Sequence, residues 1–432
     1  MTAAHLTQLH DRVESRAARV AIVGLGYVGL PLAMRAAELG FEVIGYDTST
    51  MRIETLRAGA SYVEDVGEAQ LRTALDAGFR PTEDPSDLEA FDVSIVTVPT
   101  PLREGVPDLS HIESAGMELA KHLEAGALVV LESTTYPGTT DELFRPILEQ
   151  SGLEAGVDFF LGYSPERIDP GNAQWNLVNT PKVVSGIDDS STRATECFYG
   201  ALVDKVVAVG CTSEAELVKL LENTFRHVNI ALMNELAMFA HHLGVDIWSA
   251  IGAAATKPFG YMPFRPGPGV GGHCLPIDPM FLAWRVERQL DQSFRFVELA
   301  NDVNRHMPDY VVSRIVALLN RECQAANGAR ILLLGVAYKG GTSDWRESPA
   351  CKVATNLAAL GAELRICDSH VVDDVGLGVR VEYSVEELRA ADLVVILTDH
   401  PDLPYDDIAE YSHLILDTRG VLHDHTFRGE ML

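Results

Sequence analysis

Residues 19–47 read RVAIVGLGYVGLPLAMRAAELGFEVIGYD, and this stretch decides the fold class. A short apolar run, 19–23, leads directly into Gly24-x-Gly26-x-x-Gly29. Residues 31–39 have helical spacing, and 41–46 form a second apolar run that ends on Asp47. Strand, glycine turn, helix, strand and acid in this order make a dinucleotide-binding βαβ unit. The first two glycines permit a tight turn and close approach of a pyrophosphate. The third lets the helix pack on the strand, and the helix N-terminus faces the anion. Asp47 is placed to accept from a ribose 2′-hydroxyl and to repel a 2′-phosphate, which favours NAD over NADP. Arg52, just beyond, either lines the adenosine pocket or is a surface charge on the next helix.

Working outward, strand and helix patterns keep alternating. The run 92–98 leads into Pro99-Thr100-Pro101, and 128–132 leads into Ser133-Thr134-Thr135-Tyr136-Pro137-Gly138. Further strands are expected at 158–162, 183–186 and 205–209. Their continuous apolar character is that of a parallel sheet covered on both faces. Residues 213–243 read as one long helix, with Ser213 and Glu216 as a capping box and Gly244 as its stop. Apolar residues on more than one of its faces point to burial on several sides. Lys219 and Asn223 are four apart and share a face. A second alternating region has strands at 330–335, 363–367, 393–397 and 413–417. Its first turn, Gly335-Val-Ala-Tyr-Lys339-Gly-Gly, lacks the dinucleotide fingerprint. Lys339, Arg346 and Arg419 fall at strand ends or the turns after them, where an anionic ligand sits in such sheets. The expected architecture is α/β. Two Rossmann-like, doubly wound parallel-sheet domains are joined by a central helical region with a long helix. The expected boundaries are an extension over 1–18, an NAD domain over 19–210, a central helical domain over 211–326, and a C-terminal domain over 327–432.

Composition narrows the function. With 62 Asp and Glu against 34 Lys and Arg, the formal charge is −28. That excludes a counterion-release mode of nucleic-acid binding and an anionic membrane surface as partner. The six cysteines are scattered with no metal-ligand spacing, so no metal is expected and the thiols read as reduced. The N-terminus has acids early and no apolar core, and no apolar run approaches the ~20 residues of a spanning helix. A cytoplasmic protein is expected.

Between the two alternating regions lies 265–281, RPGPGVGGHCLPIDPMF. Cys274 follows a run of Gly and Pro that leaves the thiol open to approach, with His273 before it and Asp278 four positions later. One NAD site and one nucleophilic thiol point to aldehyde oxidation through a thioester. A thiolate adds to the aldehyde and the adduct is oxidised; a carboxylate then activates water, and a Lys or Asn stabilises the oxyanion. The candidates are Cys274, Glu166, and Lys219 with Asn223.

GLGYVGLPLA, the PTP turn, SPERIDPGN, the ExxKxxxN helix, GPGVGGHCLPIDP and YKGGTSDWRESP resemble, in this order, the nucleotide-sugar 6-dehydrogenases. The likeness runs from about residue 20 to 422. It implies a four-electron oxidation of the C6 alcohol of a UDP-sugar to a carboxylate, with two NAD consumed. Carried onto matching positions, Lys219 and Asn223 serve proton transfer and oxyanion stabilisation. Cys274 holds the thiohemiacetal and thioester, while Glu166 and Asp278 direct the hydrolytic water. The implied cofactor contacts fall on the turn 24–29 (Gly24, Gly26, Tyr27, Val28, Gly29), Asp47, Arg52, Thr100, Thr135 and Arg346. The implied UDP-sugar contacts fall on Arg167, Lys219, Asn223, Arg265, Gly271, Lys339 and Arg419. The resemblance also implies a homodimer or higher homo-oligomer formed through the long helix, with Arg265 reaching the neighbouring subunit's substrate. His273 and the segment 164–172 look like the N-acetylhexosamine branch, and within it like the UDP-N-acetyl-D-glucosamine 6-dehydrogenases. UDP-N-acetyl-D-mannosamine and UDP-glucose are the alternative substrates. A two-electron hydroxyacid dehydrogenase would not need Cys274. A non-catalytic NAD- or nucleotide-sugar-binding regulator would not require Cys274, Lys219 and Glu166 together.

Overall fold

The apolar runs of the N-terminal half become strands of one sheet because helices cover both faces and leave no side for polar residues. A computed structural model of the chain describes residues 3–63, 65–169, 172, 174–272 and 275–432. The chain divides into two units, Met1–Glu222 with Trp284–Leu290, and Asn223–Ala283 with Asp291–Leu432.

In the first unit the strands are β1 (Arg19–Val23), β2 (Glu42–Tyr46), β3 (Arg80–Thr82), β4 (Val93–Val96), the short hairpin β5 (Leu102–Arg103) and β6 (Val106–Pro107), β7 (Leu128–Leu131), β8 (Phe160–Tyr163), β9 (Lys182–Gly186) and β10 (Val206–Ala208). The main sheet has the order β10-β9-β8-β7-β4-β1-β2-β3. It is parallel from β3 to β8, while β9 runs antiparallel to β8. Strand order reverses between β1 and β4, so a crevice opens at their carboxyl ends. Val20, Ile22, Val93 and Ile95 pack on one face with Leu30, Ala33, Phe198 and Leu202 from the helices. The N-terminal helix Ala3–Glu14 joins this core through Leu9 and Val13.

The second unit holds β11 (Arg330–Leu334), β12 (Glu363–Cys367), β13 (Val379–Arg380), β14 (Leu393–Ile396), β15 (Ile415–Asp417) and β16 (Gly429–Met431). They form an all-parallel sheet ordered β13-β12-β11-β14-β15-β16. Ile331 and Leu333 face one core and Leu332 and Leu334 the other, so this sheet is also covered on both sides. The architecture is α/β with two Rossmann-like sheets and a central helical region; the second sheet is all parallel, but in the first the expected parallel strands at 183–186 and 205–209 form an edge pair, β9 and β10, antiparallel to the rest. The helices Ile247–Ala255, Asp278–Leu290 and Arg295–Arg321 belong to that region.

The long helix, Thr212–Leu243, departs from the sequence reading in one respect. Glu216 does not act as the acid of a capping box with Ser213. Its carboxylate is fully buried and accepts from the N–H groups of Gly138 (2.6 Å) and Thr140 (2.8 Å) and from the Thr140 hydroxyl (2.7 Å). Satisfying buried donors of another segment outweighs capping a helix end that water can reach. One stripe of the helix is open in the single chain. Leu217, Leu221, Phe225, Leu232, Leu236, Phe239 and Leu243 are 40–76% exposed along one stripe.

Burial pushes the Glu216 carboxyl up to about 7, against the three donors that hold it down. Its folded value therefore lies above the ordinary 4.5, and the folded state binds its proton more tightly than the unfolded chain. That contribution is fully present below about pH 4.5 and is lost as pH rises through about 7, a span of about 3 kcal/mol. Melts of Glu216→Gln across this window should lack the corresponding loss seen in the wild type. Glu216→Ala should cost about 2–3 kcal/mol, because buried donors are left unsatisfied.

Candidate active site

The turn between β1 and the helix Gly29–Glu38 is built by the absence of side chains. Gly24 has φ +94°, and a Cβ there would lie 2.9 Å from the Thr97 carbonyl oxygen. A Cβ on Gly29 would lie 1.9 Å from the Gly24 carbonyl oxygen, so that position admits only glycine. A Cβ on Gly26, by contrast, would project into open space, which is the room a pyrophosphate needs over the helix N-terminus. Tyr27 is exposed beside it and Val28 precedes the helix. Asp47, buried at the end of β2, accepts from Leu25 N (2.9 Å) and Ser49 N (2.9 Å) and pairs with Arg52 Nη1 (3.3 Å). Thr100 donates to the Thr134 carbonyl (2.9 Å). Thr135 is fully buried, and its hydroxyl has no hydrogen-bond partner among the described residues. An orphaned hydroxyl in the turn after β7, in a sheet whose β1 leads into an open glycine turn, fits a bound dinucleotide. When bound, NAD supplies the hydride acceptor; the protein supplies its seat.

In the same unit, Lys219 Nζ donates to the main-chain carbonyl of Glu166 (2.6 Å). The Glu166 carboxylate accepts through Oε1 from the N–H groups of Arg167 and Ile168 (2.6 Å each), and its Oε2 lies 3.0 Å from Lys182 Nζ. Lys182 also contacts Glu132, which receives the Tyr199 hydroxyl. Burial alone would raise Glu166, yet Lys182, Glu132 and the Ile168 N–H hold it well below the usual carboxylate range. Glu132 moves the other way, because burial exceeds what Lys182 returns and Glu166 adds repulsion. Arg167 is forked onto Glu222 (3.0 and 2.5 Å) and donates to the Pro181 carbonyl (2.6 Å).

The second unit carries the other candidates. Asn223 Nδ2 donates to Asp278 Oδ2 (2.5 Å), both buried. The loop 265–272 lies where side chains cannot: a Cβ on Gly271 would sit 2.7 Å from the Glu347 carbonyl oxygen, and one on Gly267 would sit 2.7 Å from Arg419 Nη1. Gly267 N is held by Asn234 Oδ1 (2.9 Å), and Asn234 in turn donates to Asn304 (2.9 Å). Arg419 pairs with Asp399 (2.9 Å), and Arg346 is forked onto Asp344 (2.9 and 3.0 Å). Lys339 is half-buried in the turn after β11 and Arg265 is exposed. His370, His400 and Asp402 bring three ligand-type atoms within 4.8 Å of one another. Both ring nitrogens of His400 are already engaged, Nδ1 with Gly341 N (3.2 Å) and Nε2 with Asp368 (3.1 Å). That makes the group a hydrogen-bonded network in which His400 offers no ligand atom.

Three family models match in sequence along the chain. The NAD binding domain of the UDP-glucose/GDP-mannose dehydrogenase family matches residues 18–202, its central domain 213–306, and its UDP binding domain 332–424. The chain belongs to this family. It is an NAD-dependent UDP-sugar dehydrogenase. It is 36% identical to UDP-N-acetyl-D-mannosamine dehydrogenase of Pyrococcus horikoshii, over 94% of this chain and 96% of that one. It is 37% identical to UDP-N-acetyl-D-glucosamine 6-dehydrogenase of Pseudomonas aeruginosa, over 82% and 83%. A solved structure of the UDP-D-ManNAc dehydrogenase from P. horikoshii superposes with a TM-score of 0.85 at 35% identity, covering 95% of this chain and 98% of that one.

Cys274 and His273 lie outside the described residues. Sequence reasoning missed Glu132, Lys182, Tyr199 and Glu222 in this enzyme. A signal existed for two of them: Glu132 ends an otherwise apolar run and Lys182 begins one, and charge beside a buried strand needs a partner. Asp47→Ala should narrow the preference for NAD over NADP by about tenfold, as kcat/KM with each cofactor would measure. An unchanged ratio would remove the ribose role from Asp47.

Proposed function

We propose that the enzyme oxidises the C6 hydroxyl of a UDP-N-acetylhexosamine to the carboxylate, with UDP-N-acetyl-D-glucosamine as substrate. What carries the chemical reading is Lys219 on the Glu166 carbonyl and Asn223 on Asp278, one helical turn apart, with Asp278 four residues after Cys274 in sequence. The alcohol and one water give a carboxylate, four electrons pass to two NAD, and three protons are released. Lys219 and Asn223 hold the C6 oxygen, share its proton and steady its developing charge. The Cys274 thiolate adds to the aldehyde carbon, forming the thiohemiacetal, which becomes the thioester on the second oxidation. Glu166 and Asp278 direct the water that breaks the C–S bond and returns the thiol. Thr100, Thr135 and the 24–29 turn seat the dinucleotide, with Asp47 and Arg52 at its adenosine end and Arg346 contributing a further cofactor contact. Arg167, Arg265, Gly271, Lys339 and Arg419 receive the UDP-sugar, the arginines exchanging their present carboxylate partners for phosphate where they have them.

The glucosamine reading rests on the segment 164–172 and on the relative of 37% identity. UDP-N-acetyl-D-mannosamine is the second reading, favoured by the relative that aligns over 94% of this chain. NADH formed per sugar, with both substrates and UDP-glucose in parallel, separates them. Two NADH per UDP-N-acetyl-D-glucosamine, with little turnover of the others, is expected; one NADH per sugar would overturn the thioester route. Cys274→Ser should yield a single NADH per sugar or stall at a slowly hydrolysed ester, and turnover at the wild-type rate would exclude the thiol. Burial pushes Cys197 and Cys367 up to about 11, so iodoacetamide should modify Cys274 before either. Cysteines 197, 211, 323, 351 and 367 are free thiols, which supports a reducing, cytoplasmic setting. Among the described residues no helix is long and apolar enough to cross a membrane.

We also assign the exposed stripe from Leu217 to Leu243 to a homodimer. At about 100° per residue this stripe lies on the side of the helix opposite Glu216, Lys219 and Asn223, so pairing leaves the chemical face untouched. Leu236→Glu with Phe239→Glu should halve the mass found by sedimentation equilibrium. A wild-type mass for that variant would place the interface elsewhere.

A further inference from the structure

The buried group beneath Glu166 has a composition that a purely structural ion pair does not need. Lys182 and Glu132 are 3% and 2% exposed, and Tyr199 is fully buried. One ammonium therefore faces two carboxylates, Glu132 from the end of β7 and Glu166 from the segment after β8. Topology explains how a lysine that begins a strand reaches them. Because β9 runs antiparallel to β8, with Tyr163 opposite Ser185, its first residue lies at the edge where β7 and β8 end. That is the edge on which ligands bind. Both carboxylates converge on this one ammonium, Glu132 through Oε1 and Glu166 through Oε2. Tyr199, from the helix Asp189–Leu202, donates to the remaining oxygen of Glu132, and its ring lies 5.2 Å from Lys182 Nζ. The other charged neighbour is Lys219, on the Glu166 main-chain carbonyl, and Arg167 beside it is taken up by Glu222.

Two carboxylates, one ammonium and one phenol in a dry site are electrically neutral only when the carboxylates hold one proton between them. We propose that Glu132 and Lys182 form a proton relay behind Glu166, so that the proton taken from the hydrolytic water comes to rest on Glu132. The inference rests on the reading of Glu166 as the group that directs that water. The step balances without any further reactant. Water loses a proton to Glu166 as its oxygen bonds to the thioester carbon and the sulfur departs. Glu166 passes the proton to Lys182 as Lys182 gives one of its own to Glu132, so Glu166 and Lys182 end as they began. Glu132 carries the proton until the product leaves. Glu166 by itself is a poor base, since three donors already hold its charge, and the raised Glu132 is the member able to keep a proton near neutrality. Glu132 and Lys182 act through Glu166 and are positioning residues.

The test uses the full-length enzyme with UDP-N-acetyl-D-glucosamine, or UDP-N-acetyl-D-mannosamine if that is the sugar turned over, and saturating NAD. Two readouts are taken: kcat from about pH 6 to about pH 9, and covalent acyl-enzyme by acid quench and intact-protein mass spectrometry. Wild-type kcat should rise across neutrality. Glu132→Gln keeps the shape and one acceptor for Lys182, with its NH2 donating to the Tyr199 hydroxyl, but cannot hold the proton. It should lose that rise, accumulate acyl-enzyme and leave KM unchanged, whereas a merely structural residue would not change the pH profile. Tyr199→Phe removes one donor to the Glu132 carboxylate and should move the midpoint upward by about one pH unit. This variant carries the test if Glu132→Gln melts below the assay temperature. Glu166→Gln is the reference for the underlying reading. If it accumulates acyl-enzyme while Glu132→Gln and Tyr199→Phe keep the wild-type profile, the relay is overturned and the role of Glu166 stands. If Glu166→Gln accumulates none, both fall together.

Discussion

The Glu216 carboxylate, buried against the turn 138–140, fixes the beginning of the helix Thr212–Leu243, and the contacts of the helix's first turns depend on where it begins. Lys219 and Asn223 follow at three and seven residues, on the same face. Once Glu216 is pinned, Lys219 meets the Glu166 carbonyl and Glu222 meets Arg167. A rotation of the helix by one residue, about 100°, would turn all of them away. The exposed apolar stripe on the far side is then a consequence of the same register.

Charge is managed locally in a chain whose net charge is −28. Arg52 is held by Asp47, Arg167 by Glu222, Arg346 by Asp344 and Arg419 by Asp399. Each guanidinium is thus paired with a carboxylate of its own unit. An overall acidic chain thereby keeps its arginines at defined positions within its own negative field.

The two sheets use one device for different ends. In each, an acid at the end of the second strand accepts from the turn after the first: Asp47 from Leu25, and Asp368 from Val336 (2.7 Å) and Ala337 (3.1 Å). Asp47 is still partnered by a half-buried arginine, Arg52. Asp368 is sealed by His400 and backbone donors, which keep its carboxyl well below the usual range despite burial. The second turn has no glycine fingerprint, and Lys339 lies half-buried in it.

The sequence by itself determined the strand–turn–helix order, because the glycine spacing in 19–47 and the continuous apolar runs are local patterns tied to local geometry. It also named the residues that stand close together in the chain, such as Lys219 with Asn223 and Cys274 with Asp278, and the long helix to within one residue of its start. It did not reveal that Glu216 serves the turn 138–140 or that Lys182 lies under Glu166. Those facts depend on residues from 16 to 78 positions apart meeting inside the fold. Only tertiary structure decides such meetings, because burial converts an ordinary charge into one that must find a partner, and the partner is chosen by strand direction and helix register rather than by spacing in the chain.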